Sequence, residues 1–292
     1  MIESYSGTWS LCLKDLSSGR MITINDRPQS SASLIKLYIM GAVLETMDQE
    51  NLIPYLYQTD LVRSDVEELR DLLYEMISVS DNDAANELVR YLDPERRHQE
   101  GMECVNSFIQ RNGFSDTRQT NGLGDPELWY DPDTLNATSA KDCVSFLEQV
   151  YNGTMVSHLA SRFMETLLME QEIIYKIPYT LPKDSLTANK SGETDTTEND
   201  AAIVYSAGGD YILCIMSTDI DLEDKDQSVD QIRNLSEAVY SFFNPSADSI
   251  MYKIEHTVGY PEDETEESQT AVIGSIAYQD ERIYEYHIRR KP

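Results

Sequence analysis

The sequence is sparing with the residues on which most metal and disulfide chemistry rests. Among 292 residues there are four cysteines, Cys12, Cys104, Cys143 and Cys214, far apart and with no CxxC pair. That distribution points away from a zinc site or a dense disulfide framework and reads as isolated buried thiols. Four histidines, His98, His158, His256 and His287, form no HExxH or other ligand spacing, so neither a metal nor any other cofactor is expected. Basic side chains are scarce too: 23 Lys and Arg stand against 52 Asp and Glu, a formal net charge of −29. Such a balance repels a phosphate backbone or an anionic lipid surface and excludes nucleic acid as a partner. No run reaches the roughly 18–20 apolar residues that cross a bilayer, so no membrane insertion is expected. Met1 is followed by IESYSGTW, which has neither the charged start nor the apolar stretch of an export signal.

What the chain does hold is an ordinary globular composition, 40% hydrophobic and 9% aromatic, with length for one large body and an appendage. GTWSLCLKDL alternates Trp9, Leu11 and Leu13 with polar or small neighbours, and SSGR then turns the chain into MITIN, a β-hairpin pattern. Residues 33–48 are apolar on several faces and read as a buried helix. Helices are expected at about 64–78, 83–92, 95–112, 139–152 and 157–170. Strands return at 185–193, 201–207 and 211–219, the last two joined by Gly208-Gly209-Asp210. An amphipathic helix fits 228–243, ending at Asn244-Pro245. The pattern predicts an α+β fold: an antiparallel sheet built from N- and C-terminal strands, with helices on its faces and a helical subdomain. Residues 1–245 form the main domain in this reading. Residues 246–292 read as a β-rich extension with an acidic run, PEDETEES at 261–268. That run is a solvated loop, with a partner-binding segment as the alternative.

Three short motifs carry the chemistry. Ser33-Leu34-Ile35-Lys36 is the SxxK of the chain and opens the buried helix, where unpaired backbone N–H groups point outward. Positions i and i+3 share a helix face, so Lys36 reaches the Ser33 hydroxyl, and a serine needs such a neighbour to become a nucleophile. Ser80-Asp81-Asn82 follows, with a helix N-cap as its purely structural reading. Lys190-Ser191-Gly192-Glu193 then ends a predicted strand ahead of a polar loop. A second cation such as Lys190, with the positive end of the helix, is expected to push the Lys36 pKa down. It also makes a local cationic wall, able to hold an anionic ligand despite the net charge.

These three motifs in this order, with the opening hairpin, SASLIK, SDNDAAN, the TSAKD helix start and ANKSGE followed by NDAAIV, resemble the active-site serine penicillin-recognising family: class A β-lactamases and penicillin-binding proteins. The resemblance covers about residues 5–245. It implies a β-lactamase/transpeptidase-like fold and an acyl-enzyme mechanism, with Ser33 as the acylated nucleophile and Lys36 as its base. It makes Ser80 a relay toward the leaving nitrogen and gives Asn82 the substrate amide. Lys190 and Ser191 hold the substrate carboxylate, and the backbone N–H groups of Ser33 and Glu193, beside Gly192, form the oxyanion hole. It further implies a small β-lactam or peptidoglycan-type peptide as substrate and an extracytoplasmic, bacterial setting. Class A members carry the deacylating glutamate in ExxLN. Here Leu135-Asn136 is preceded at that spacing by Pro132, and Glu127, with Asp125, is the nearby carboxylate: a deacylating base or simply a loop residue. The family's arginine after the third motif is replaced by Asp200-Ala201-Ala202. Three functions follow: a β-lactamase-like hydrolase, a penicillin-binding-protein-like D-Ala peptidase, and a sensor that acylates without turnover.

Overall fold

The computed structural model describes residues 5–57 and 63–245. The extension expected at 246–292, with its acidic run and two β-like stretches, lies outside the described residues. Strands β1 (Thr8–Asp15) and β2 (Met21–Ile24) form the expected hairpin, its turn pinned by backbone N–H groups of Ser17 and Ser18 donating to the Asp15 carboxylate. Next come β3 (Gln29–Ser30), a 3-10 turn over Ala32–Leu34, and α1 (Ile35–Gln49). Helices α2 (Ser64–Tyr74), α3 (Asn82–Tyr91) and α4 (His98–Arg111) follow. After a long loop come β4 (Ala137–Thr138), α5 (Ala140–Tyr151) and α6 (His158–Met169). The chain then returns to the sheet through β5 (Leu186–Thr194), β6 (Thr197–Tyr205) and β7 (Tyr211–Thr218), and α7 (Lys225–Phe243) closes it.

The main sheet is antiparallel, in the order β2-β1-β7-β6-β5. Pairing of β1 with β7, Leu11 opposite Ile215, joins the two ends of the sequence. Strand β7 is buried along its whole length, and its period-two alternation serves two cores. Ile212, Cys214 and Met216 face the helical block around α1, while Leu213 and Ile215 meet Trp9, Leu11, Ile232 and Leu235 under α7. Helix α1 runs through the middle of the larger core. Ile35, Leu37, Tyr38, Ile39 and Met40 are all buried, so it presents no polar face, as its apolar residues on several sides predicted. Three of the four thiols, Cys12, Cys143 and Cys214, sit in that core; Cys104 is exposed on α4, against the expectation that all four are buried.

Two boundaries differ from the pattern reading. Helix α4 starts at His98 rather than near residue 95, because Asp93 caps the chain ahead of it, accepting from the N–H groups of Glu95 and Arg97. The polar loop expected after Glu193 is a tight hairpin, and β6 begins at Thr197 rather than at 201. The acidic stretch there is strand because its polar side chains find partners inside: Glu198 an ion pair, Asn199 and Asp200 hydrogen bonds.

Helices α3 and α4 touch at Gly101, where a Cβ would sit 1.9 Å from the Val89 carbonyl oxygen. Gly101→Ala is therefore expected to lose about 1–3 kcal/mol by overpacking, read as a fall of several degrees in Tm; an unchanged Tm would show that the two helices separate at no cost.

Candidate active site

The site forms where the free edge of the main sheet meets the helical block. Ser33 lies in the 3-10 turn that opens α1, after Ala32 at φ +44°, a strained conformation for a residue with a side chain. That turn is held from two sides. Ser31 donates through its N–H to the Asn136 carbonyl at 2.8 Å, and Asn199 of β6 donates from its amide to the Ser30 and Ser31 carbonyls at 2.9 and 3.2 Å. From the third side comes Gly192 of β5. A Cβ there would lie 3.0 Å from both the Ser31 carbonyl oxygen and the Ser33 amide nitrogen. Only glycine lets the edge strand pass this close to the Ser33 backbone.

One turn on from Ser33, at the start of α1, Lys36 is wholly buried. Its Nζ is 3.1 Å from Ser33 Oγ, 2.7 Å from the Ser80 carbonyl oxygen, 2.8 Å from Asn82 Oδ1 and 3.4 Å from Ser80 Oγ. Ser80 ends a π-helical turn, Glu75–Val79, and takes the left-handed conformation at φ +69°. This turns its carbonyl and hydroxyl toward the amine. Asp81 then caps α3 by accepting the Ala84 N–H at 2.7 Å. The helix-cap reading of Ser-Asp-Asn thus holds for its middle residue, while the outer two face Lys36. Lys190, wholly buried on β5, donates to Ser80 Oγ at 2.8 Å and to the Ser191 carbonyl at 2.9 Å. Ser33 Oγ, Lys36 Nζ, Ser80 Oγ and Lys190 Nζ therefore form one continuous chain of polar contacts able to pass a proton along its length.

Burial pushes the Lys36 amine down to about 7, with the Asp81 carboxylate opposing the shift. The expected cause, repulsion from Lys190, is not the leading one: leaving water is. Lys190 itself is held well below the usual lysine range, first by burial and then by Lys36.

The remaining expected residues fall into two groups. Ser191, Gly192 and Glu193 all lie on β5 beside the Ser33 turn, Glu193 exposed and the other two buried. Glu127 stands apart. It is exposed in the short turn Pro126–Leu128, and its described hydrogen bond is a backbone one, to Asp125 Oδ1. Gly124 of this loop packs beside the Asn82 amide, and Asn86 braces it through the Leu123 N–H and carbonyl. Asn121 and Asn136 tie the loop's two ends together. His98 hydrogen-bonds Asn86 and stacks on Tyr130.

Sequence reasoning missed the polar layer behind β5. Lys176 is wholly buried, 2.6 Å from Glu198 Oε2, and its amine also donates to the Gly192 and Asn199 carbonyls, each at 3.2 Å. Asp200 accepts from the Ile177 N–H and the Asn189 amide, and burial pushes its carboxyl up to about 6. A lone lysine in the run IIYKIPYT carries no signal of this, since its partners lie more than fifteen residues away.

The model of the β-lactamase enzyme family matches residues 1–243. No curated protein matches the chain. Among solved structures, PBP-A is similar with a TM-score of 0.68 at 21% identity, over 82% of this chain and 91% of that one. A β-lactamase from Sphaerobacter thermophilus gives 0.67 at 20% identity, over 83% and 94%. An ancestral class A β-lactamase gives 0.67 at 21% identity, over 82% and 96%. These likenesses establish the β-lactamase/transpeptidase-like fold. With the family model spanning the chain from the first residue to the end of α7, the chain belongs to the β-lactamase enzyme family.

Proposed function

We propose that this protein is a serine hydrolase acting by acyl transfer through Ser33 on a β-lactam or a related amide or ester. The observation that carries this reading is the buried Lys36 amine, 3.1 Å from Ser33 Oγ and pushed down to about 7. A neutral amine has two N–H bonds and one lone pair. The Ser80 carbonyl and Asn82 Oδ1 can only accept, so they take the two N–H bonds at 2.7 and 2.8 Å and leave the lone pair to the Ser33 hydroxyl. In acylation Ser33 Oγ bonds to the substrate carbonyl carbon as its proton passes to Lys36, and the carbonyl π pair moves onto oxygen. The backbone N–H groups of Ser33 and Glu193 are the donors for that oxyanion. When it collapses the bond to the leaving atom breaks, and that atom takes a proton from Ser80 Oγ, which Lys36 replaces. Lys190 holds the Ser80 hydroxyl in line, Asn82 receives the substrate amide, and Ser191 flanks the substrate's far side.

Release of the acyl group is a separate matter, because water must be held and deprotonated against the ester. Glu127, exposed and with no described bond to Ser33, Lys36, Ser80, Asn82 or Lys190, favours a second reading. In it acylation outruns release, as suits a D-Ala peptidase of the penicillin-binding-protein kind acting slowly on β-lactams, or a sensor of β-lactam or peptidoglycan fragments.

Intact-mass measurement after exposure to a penicillin is expected to show an adduct on the wild-type chain and none on Ser33→Ala; an adduct persisting in that variant removes Ser33 from the mechanism. Lys36→Ala is expected to slow acylation about 10²- to 10⁴-fold even at saturating substrate. Because the folded pKa of Lys36 is depressed, its base form is lost as pH falls through about 7. The acylation rate should drop about tenfold per pH unit below that point and level off above it; a flat profile from about pH 5 to 8 rules out this base. Glu127→Gln is expected to leave the lifetime of the adduct unchanged, whereas rapid turnover lost on that single change would make Glu127 the deacylating base.

A further inference from the structure

The face of the main sheet that lies under α7 is only partly covered. Helix α7 and the Ile177–Thr180 turn close over Val204 of β6, Leu213 and Ile215 of β7, and Leu11 of β1. A helix is about 10 Å across and strands lie about 4.8 Å apart, so one helix cannot shield five strands. In the antiparallel register Leu11 stands opposite Ile24 and Leu13 opposite Ile22. Opposite residues share a face, so both isoleucines point to the α7 side. They lie beyond its cover, Ile22 58% and Ile24 39% exposed. Their strand is also an edge, for β2 pairs with β1 alone among the described strands. The Asp15 N–H donates to the Arg20 carbonyl across the hairpin, and the Leu16 N–H donates the other way, to Asp210. By the alternation of antiparallel pairing, Ile22 and Ile24 then turn their backbone groups to β1, and those of Met21 and Thr23 point away from the sheet.

An apolar edge with outward backbone groups is a template for a further strand, and the sequence holds one of matching pattern. RIYEYHIRR, 282–290, sets Tyr284, Tyr286 and Ile288 on one side of an alternation and Glu285, His287 and Arg289 on the other. TAVIGSIAY, 270–278, lacks that division, with Ile273 and Ile276 on opposite sides. The 282–290 segment is also basic, Arg282, Arg289 and Arg290 against Glu285, in a chain of net charge −29. Asp15 lies by the turn into β2, and Asp26 just beyond its end. Reach does not limit the pairing. After α7, Asn244 Oδ1 accepts the Gly208 N–H at the β6–β7 turn, the same end of the sheet at which Leu16 meets Asp210 and β2 begins. From β7 to β2 is two strand spacings, about 10 Å, and residues 246–281 are long enough to cross it several times over.

We infer that residues 282–290 dock on the free edge of β2 as a sixth strand of the main sheet, with Tyr284, Tyr286 and Ile288 beside Ile22 and Ile24 on the α7 face. The inference stands apart from the acyl-transfer reading. Residue-resolved amide exchange on the full chain tests it, with Cys214 and Ile215 of the buried strand β7 as internal reference. Glu285→Pro and Tyr286→Pro are the comparison proteins, because adjacent strand positions turn their N–H groups to opposite sides and one of the two prolines must remove a ladder bond whatever the register. The Met21 and Thr23 amides of the wild-type chain are expected to exchange about tenfold more slowly than in at least one of these variants, at a rate independent of protein concentration. Fast exchange at Met21 and Thr23 in the wild-type chain overturns the inference. Slow exchange that both prolines leave in place also overturns it and gives the edge to another segment, and slow exchange lost on dilution overturns it in favour of a second copy of this chain.

Discussion

An amine sealed from water must find acceptors for its protons within the protein, and Lys36 finds them on two separate segments of chain. The turn that leads into its own helix supplies Ser33, and the segment from the π-helical turn into the first residue of α3 supplies Ser80 and Asn82. Burying an amine without such partners costs several kcal/mol, so the packing of α1 in the core and the shape of the Ser80 turn are mutually dependent. The left-handed backbone at Ser80 makes sense in this light: it aims a carbonyl at the amine that no regular helix end would aim there. The same burial that makes the amine demanding also lowers its pKa, because the charged form loses more than the neutral form on leaving water.

A second buried polar layer does for the sheet edge what Lys36 does for the helix. Lys176 bonds carbonyls on both β5 and β6, Asn199 of β6 reaches the Ser30 and Ser31 carbonyls, and Asp200 holds the Ile177 segment. Through these bonds the end of the β5–β6 hairpin and the turn bearing Ser33 are fastened together, leaving at Gly192 a space where a Cβ would lie 3.0 Å from the Ser33 amide nitrogen. The ion pair of Lys176 with Glu198 gains little net stability once desolvation is subtracted; its consequence is geometric, fixing the carbonyl of Gly192 and so the peptide that follows it.

The loop from 117 to 136 is held in place by a different means. It is built on side-chain amides, Asn121, Asn136 and Asn86, which satisfy its backbone groups and hold it against α3 and the Ser33 turn. What it offers the site is backbone and the glycine at 124, not a carboxylate. The cluster around Lys36 comes from the start of α1, the Ser80 turn and β5, and Glu127 is exposed apart from it.

Periodicity predicted the α+β class, the run of helices and the β1–β2 and β6–β7 hairpins, and the motifs with the family resemblance they carry picked out Ser33, Lys36, Ser80 and Lys190, since each rests on local signals: alternation in GTWSLCLKDL, an i to i+3 spacing from Ser33 to Lys36, a cap at Asp81. Those signals survive without knowledge of distant partners. The tertiary structure decided the rest. The stretch from Thr197 to Asp200 reads as a polar loop until Lys176 and the Ser30–Ser31 carbonyls are seen to take up its polar atoms as strand. Lys190 reads as a free cation until burial beside Ser80 lowers its pKa, and Lys176 reads as nothing at all. A buried charge is stable only through partners, and partners far apart in sequence leave no trace in the pattern of either segment.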